Sequence, residues 1–397
     1  MAIWSVRWSV KQYINFGKNV KIKSTTQILD IAVLPGDGIG PEVMGAALEL
    51  LNAVHDVCGG PELRCTTYDA GAQFYVKSGV ALPEATLAAC ERSQAMLFGA
   101  MGWPDIRNSD GTEIMPQLEL RMMFHLYAGV RPIRWFPGLP QVLSDERARG
   151  IDFVLIREQT EGLFYARGRG VVENDSVAYD TMQITRAGTA RVSEFAFRLA
   201  ERRKERRKAA ELASLVTCVD KANVFTSMAF FRKVFDEVAA RHPEIASDHS
   251  LVDAMAFSMI KKPWVLDVMV MENMYGDILS DMGAGLIGGL GMAPSGDIGD
   301  EHGLFQPVHG TAPDIAGQGK ANPCAMFLSA AMMLDWLADR YGELQLEVGA
   351  RVIGKAVEIA LSSGEAVPME YGGNAGTAEL TAAVTGALAE ARRRIGS

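Results

Sequence analysis

The stretch from Ile28 to Val54 constrains the fold of this chain more than any other. Ile28 to Leu34 is apolar and β-prone, Pro35-Gly36-Asp37-Gly38-Ile39-Gly40 is a turn, and Pro41 opens a segment with helical spacing. A strand that passes into a helix through so short a loop must lay that helix back on a sheet, the repeating unit of α/β proteins. The same alternation continues: Ala95 to Phe98, Phe153 to Ile156, Leu215 to Val219 and Val265 to Met269 read as buried strands, with helical segments between several of them. The fold class expected is therefore α/β. At 397 residues the chain exceeds what one core usually organises, so two lobes are expected.

Bulk properties narrow the partners. A net charge of -9 repels a phosphate backbone, so no nucleic-acid partner is expected and a small molecule is favoured. No apolar run is long enough to span a bilayer, so no membrane partner is expected either. Five cysteines without paired metal-site spacing read as reduced thiols in a cytoplasmic protein. Residues 1–27 form a basic extension with Arg7, Lys11, Lys18, Lys21 and Lys23, and no catalytic purpose is assigned to it. The basic run between Ala200 and Ala210 reads as a solvated helix face.

Several local patterns carry chemistry. Gly36-Asp37-Gly38-Ile39-Gly40 lacks the spacing of a dinucleotide fingerprint and reads equally as a tight turn and as a cofactor contact. Asp277 and Asp281, four apart, share one face if their segment is helical; they suit a hard divalent cation, or alternatively a helix cap and one exposed acid. Asp253 stands in apolar surroundings and needs a partner if buried. Arg121, Arg131 and Arg157 lie in apolar settings, and three guanidinium forks converging on a cleft would suit a small dicarboxylate. Lys221 follows a strand directly, a common place for a catalytic group, although a salt bridge to a nearby acid reads as well.

In chain order LPGDGIGPE, LRMMFHLYAGVRP, REQTEG, DKANV, VDAM, GDILSD and HGTAPDIAG resemble the β-decarboxylating dehydrogenase family of isopropylmalate, isocitrate, homoisocitrate and tartrate/D-malate dehydrogenases. The likeness runs from about Ile31 to about Thr377. It implies a two-lobed isopropylmalate-dehydrogenase-like fold, not a usual Rossmann domain, with residues 28–127 and 289–397 in the cofactor-binding lobe and 128–288 in a second lobe carrying the dimer contact. It further implies a homodimer with shared active sites, each borrowing Lys221 and Asp253 from its neighbour. Arg121, Arg131 and Arg157 would clamp the substrate carboxylates, while Asp277, Asp281 and the neighbour's Asp253 hold Mg²⁺ or Mn²⁺. Lys221, or a water linked to it, would take the hydroxyl proton. His309, Gly310, Thr311, Ala312, Asp314, Ile315, Asn322 and Asn223 match cofactor contacts. An acid at Asp314 accepts ribose hydroxyls and repels a 2′-phosphate, so NAD is expected over NADP.

The chain departs from the family pattern at informative places. Phe164 stands where relatives carry the tyrosine thought to protonate the enol: either Tyr165, one residue later, or water substitutes, or the final protonation is slow, or the reaction is simple oxidation. A second class of function, a ligand-binding or regulatory relative without turnover, takes its motive from Phe164. Gln306 replaces a glutamate common in NAD-linked relatives. Before Arg121, where substrate choice is made, the chain presents Ile114, Met115, Gln117 and Leu118. Met115, Leu118 and the DKANV segment lean toward a 3-alkylmalate, with 3-isopropylmalate first; Gln117 and Gly372-Gly373-Asn374 lean toward tartrate/D-malate or isocitrate.

Overall fold

The computed structural model describes residues 28–396, and the basic extension lies outside the described residues. The strands are β1 (Ile28–Gly36), β2 (Glu62–Thr67), β3 (Ala95–Ala100), β4 (Ala128–Arg134), β5 (Asp152–Glu158) and β6 (Val171–Glu173). They continue with β7 (Val177–Tyr179), β8 (Leu215–Asp220), β9 (Ala246–Leu251), β10 (Val268–Met271), β11 (Pro294–Ile298) and β12 (Gly303–Pro307). The helices are α1 (Gly40–Cys58), α2 (Ala72–Ser78), α3 (Glu84–Arg92), α4 (Pro116–Met123), α5 (Arg186–Ala209) and α6 (Thr226–Ala239). After these come α7 (Val252–Lys261), α8 (Asn273–Leu286), α9 (Cys324–Tyr341), α10 (Leu344–Ser363) and α11 (Thr377–Gly396).

Ten strands form one mixed sheet in the order β2-β1-β3-β12-β11-β4-β5-β10-β8-β9. The outer pairings are parallel, as crossover helices require, whereas β11 runs antiparallel to β12 and β4, and β4 antiparallel to β5. β1, β2, β3, β11 and β12 come from residues before 128 or after 288 and fill one half of the sheet. β4, β5, β8, β9 and β10 fill the other. The seam is the β11–β4 pair, in which Asp297 lies opposite Gly129. Helix α9 is apolar all round and buried along nearly its whole length, so it packs as a core helix against β11 and β12 rather than as an amphipathic surface one.

Two expectations need correction. The strand expected at Val265 to Met269 begins at Val268, because Pro263–Val265 closes a 3₁₀ turn and the buried Asp267 carboxylate accepts from Leu215 N and Arg203 Nε just before the strand. The basic run on α5 is not simply a solvated face. Arg203 is fully buried on Asp267 and the Asp152 carbonyl, and Arg207 donates to the carbonyls of Ala213, Val265 and Leu266. These guanidinium groups bind the end of α5 to the sheet, since a buried charge is tolerated only when paired and hydrogen-bonded. Among the described residues no helix is long and apolar enough to cross a membrane.

Candidate active site

The Gly-rich turn after β1 is a close-packing device. Gly38 has φ +60°, and a Cβ there would fall 2.0 Å from the Thr311 carbonyl oxygen, while Ile39 N donates to that same oxygen at 2.9 Å. Asp37 is buried and accepts from Ala72 N, Gln73 N and Gly102 N at 2.7–2.9 Å. The turn therefore seats the 309–317 loop and the start of α2, and its glycines permit backbone approach that no side chain would allow.

REQTEG continues from the end of β5, and its residues divide the work. Arg157 and Gln159 reach the site: Arg157 donates from Nε to Asn273 Oδ1 at 2.8 Å and from Nη1 to Asp277, and Gln159 Nε2 donates to Asp297 Oδ1 at 3.0 Å. Glu158 and Glu161 are structural acceptors. The first takes Thr160 N and Glu161 N, and the second takes Thr185 N ahead of α5. Gly162 packs on Glu272, whose carboxylate caps α8 by accepting Tyr275 N and also accepts Leu163 N.

With Glu272 as the cap, Asp277 and Asp281 fall on successive turns of α8, so neither is the helix cap. Burial, followed by repulsion from Asp277, raises the Asp281 carboxyl, and Arg131 and Arg157 oppose that rise. Two like charges held together beside arginines form a donor set that a hard divalent cation fits.

The three arginines converge. Arg121, Arg131 and Arg157 are buried, and each lies in the others' field. Burial lowers the Arg131 guanidinium. Burial and then the Arg121 charge bring Arg157 down to about 10, against the attraction of Asp277. Arg121 Nε donates to Asp297 Oδ2 at 2.8 Å; Arg131 Nη1 donates to Asp297 Oδ1 at 3.1 Å and to Ser295 Oγ. Burial raises the Asp297 carboxyl, but Arg121 and Arg131 outweigh it and leave it at about 2. Asp297, Gln159, Ser295 and Asn273 were missed by the sequence reading. An acid within the strand Pro294-Ser295-Gly296-Asp297-Ile298 was the one available signal, by the same reasoning that singled out Asp253.

Phe164 packs against the clamp, with the Arg157 guanidinium 5.0 Å from its ring centroid. Tyr165 turns elsewhere: Arg169 lies 3.9 Å over its ring. Gln117 and Leu118 occupy the first turn of α4, one turn before Arg121, and Gln117 Oε1 is buried without a hydrogen-bond partner among the described residues.

Lys221 and Asp253 pair with each other, Nζ to Oδ1 at 2.5 Å. They sit at the ends of β8 and β9, and Asp253 opens α7. The lysine bond is the leading cause holding the exposed Asp253 carboxyl below its usual range. Within one chain Asp253 does not assemble with Asp277 and Asp281. Among the described residues the only group of three or more acidic, His or Cys side chains close enough to share an ion is Glu201, His242 and Glu244, on α5 and the turn after α6.

The expected cofactor contacts gather on one loop and its flank. His309 Nδ1 donates to the Gly310 carbonyl at 3.0 Å, and its buried Nε2 has no partner among the described residues. Burial lowers its pKa, so a neutral ring offers one open polar atom to a ligand. Thr311 is buried, Ala312 takes φ +38°, Ile315 is half-buried and Asp314 is exposed. Asn322, two residues before α9 begins, accepts Cys324 N at 3.0 Å. Asn223, in the turn after Lys221, is exposed.

Comparison with known proteins places the chain among named enzymes. A 3-isopropylmalate dehydrogenase of Heyndrickxia coagulans is 42% identical over 345 residues, covering 85% of this chain and 89% of that one. A homoisocitrate dehydrogenase of Methanocaldococcus jannaschii is 41% identical over 323 residues, covering 79% of this chain and 86% of its own length. The crystal structure of isocitrate dehydrogenase from Methylococcus capsulatus superposes with a TM-score of 0.77 at 33% identity, covering 91% of this chain and 99% of that one. With the family profile matching residues 30–384 as well, the chain belongs to the isocitrate/isopropylmalate dehydrogenase family, oxidoreductases that act on a CH–OH group with decarboxylation.

Proposed function

We propose that this protein oxidises a malate-like 2-hydroxy dicarboxylate with NAD and Mg²⁺ or Mn²⁺ and decarboxylates the product, with 3-isopropylmalate as the first substrate and tartrate, D-malate, isocitrate or homoisocitrate as alternatives. The observation that carries this reading is the convergence of three buried arginines beside Asp277 and Asp281. Relatives named 3-isopropylmalate dehydrogenase support the substrate order. Asp277 and Asp281, with Asp253 of a second copy, would hold the metal, and the 309–317 loop with Asn322 and Asn223 would hold NAD. The exposed Asp314 at the ribose would favour NAD over NADP. When bound, the metal polarises the substrate oxygen and NAD accepts the hydride.

The residues of the chain then have defined tasks. Arg121, Arg131 and Arg157 orient the two carboxylates, restricting the substrate to a reactive pose. Lys221 Nζ receives the hydroxyl proton, and Asp253 beside it orients the amine. Phe164 closes the Arg157 side of the pocket and donates no proton, so the enol is protonated from Tyr165 after rearrangement of its ring, or from water.

Completion of the site by a second copy is supported by the surface around Lys221 and Asp253. Val224, Phe225, Phe257, Ile260 and Ile278 are all exposed on the Lys221 turn, α7 and α8, as are Val171, Val172, Val177 and Tyr179 on the β6–β7 hairpin. Exposed apolar groups on the same turn and helices as Lys221 and Asp253 suit a protein contact, which fits a homodimer. Five free cysteines fit a cytoplasmic setting.

The test is a panel of these substrates with NAD or NADP and Mg²⁺ or Mn²⁺, scored for reduced cofactor and CO₂ together. Equal amounts of NADH and CO₂ from one malate derivative are expected; no turnover across the panel overturns the reading. If enol protonation limits turnover, Phe164→Tyr should raise kcat while NADH and CO₂ stay equal, and an unchanged kcat removes position 164 from that step.

A further inference from the structure

The reading above assigns no task to Asp297, yet its carboxylate bridges Arg121 and Arg131. It lies on β11 at the seam of the sheet and has no solvent exposure. Four N–H donors fill its two oxygens: Arg121 Nε and Gln306 Nε2 on Oδ2 at 2.8 and 2.9 Å, and Arg131 Nη1 and Gln159 Nε2 on Oδ1 at 3.1 and 3.0 Å. Gly129, opposite Asp297 in the register, is part of the arrangement, because a Cβ there would fall 2.4 Å from Gln159 Nε2.

This network accounts for Gln306. A glutamate at that position would bring a second carboxylate against Asp297 at 2.9 Å in a buried site, whereas the amide donates a hydrogen bond. Arg121 uses Nε and Arg131 uses Nη1 for Asp297, so the carboxylate fixes the rotation of both forks and leaves their other nitrogens for a ligand.

We propose that Asp297, with Gln306 as its donor, is the positioning residue of the Arg121–Arg131 pair and takes one positive charge from it, which favours a dianionic substrate over a trianionic one. The proposal rests on the clamp of the preceding section and deepens it. It accounts for how the buried Arg121 and Arg131 lie side by side without a ligand, and it names Asp297 as a specificity determinant that acts through them.

The experiment compares the wild type with Asp297→Asn, Gln306→Glu and the double exchange, which moves the carboxylate across the hydrogen bond and reverses its direction. Calorimetry measures binding of succinate and tricarballylate, which differ by one carboxylate, and steady-state kinetics follows the best substrate of the panel. Asp297→Asn should raise KM about tenfold with a smaller change in kcat, and should shift the succinate-to-tricarballylate preference about tenfold toward the trianion. Gln306→Glu adds a charge and should shift that preference the opposite way. The double exchange should restore both values to within about threefold of wild type. If the double exchange is no better than either single change, or if neither single change moves the preference, the proposal is overturned. Should Asp297→Asn not fold, the direction of the Gln306→Glu shift decides alone. Because binding of the two probes needs no turnover, a wild type that oxidises nothing in the panel defeats the substrate reading while leaving the charge assignment to be decided by calorimetry.

Discussion

The two halves of the candidate site are built in opposite ways. On the arginine side one chain supplies everything: Arg121, Arg131 and Arg157 are buried, and Asp297, Ser295, Asn273 and Asp277 accept their hydrogen bonds. On the other side Lys221 bonds to an Asp253 whose side chain is 66% exposed, amid apolar groups facing solvent. The arginine half is preorganised, at the cost of burying like charges together, while the Lys221–Asp253 pair, proposed to move the proton, is left open at an edge. Recognition can therefore be rigid within one chain, and catalysis can depend on a contact between chains.

Changes on the two sides should accordingly differ in kind. The largest effect is expected at Lys221→Ala: kcat should fall on the order of 10³-fold as the base is lost, with the urea midpoint within error of wild type because the group sits at a half-open edge. A parallel loss of stability would show that the edge is structural. Next, Arg131→Lys keeps the charge but removes the fork, and kcat/KM should fall on the order of 10²-fold. If KM and kcat are both unchanged, Arg131 does not touch substrate. The smallest effect concerns acid. The folded pKa of Asp297, about 2, lies below its unfolded value. Its contribution to stability, on the order of 2 kcal/mol, is thus present above the unfolded carboxylate range near pH ~4 and lost as pH falls through about 2. Acid unfolding of Asp297→Asn should lack that component, and identical acid transitions in the two proteins would contradict it.

Legibility in the sequence followed the range of the interactions. The strand-turn-helix beginning at Ile28 and the i,i+4 pair Asp277 and Asp281 are local patterns, and the structure places each as a local unit. Asp297 was not legible because its partners lie 9 to 176 residues away, and no spacing records them. The basic run on α5 misled for a related reason. Charge in a helix suggests solvent, but Arg203 and Arg207 find Asp267 and the carbonyls around it only after the sheet has assembled. The late start of β10 has the same origin: the apolar run from Val265 has no internal marker, and Asp267 is bound by distant groups before the strand begins.

The central claim is that the site is complete only between two copies of the chain, with Asp277 from one and Lys221 from the other. Lys221→Ala and Asp277→Ala proteins, each inactive alone, can be mixed in equal amounts, dissociated and reassociated with distinguishable tags. A shared site predicts recovery of about one quarter of wild-type activity, because half of the dimers are mixed and each holds one intact site. Mixed dimers that form and remain inactive would contradict it.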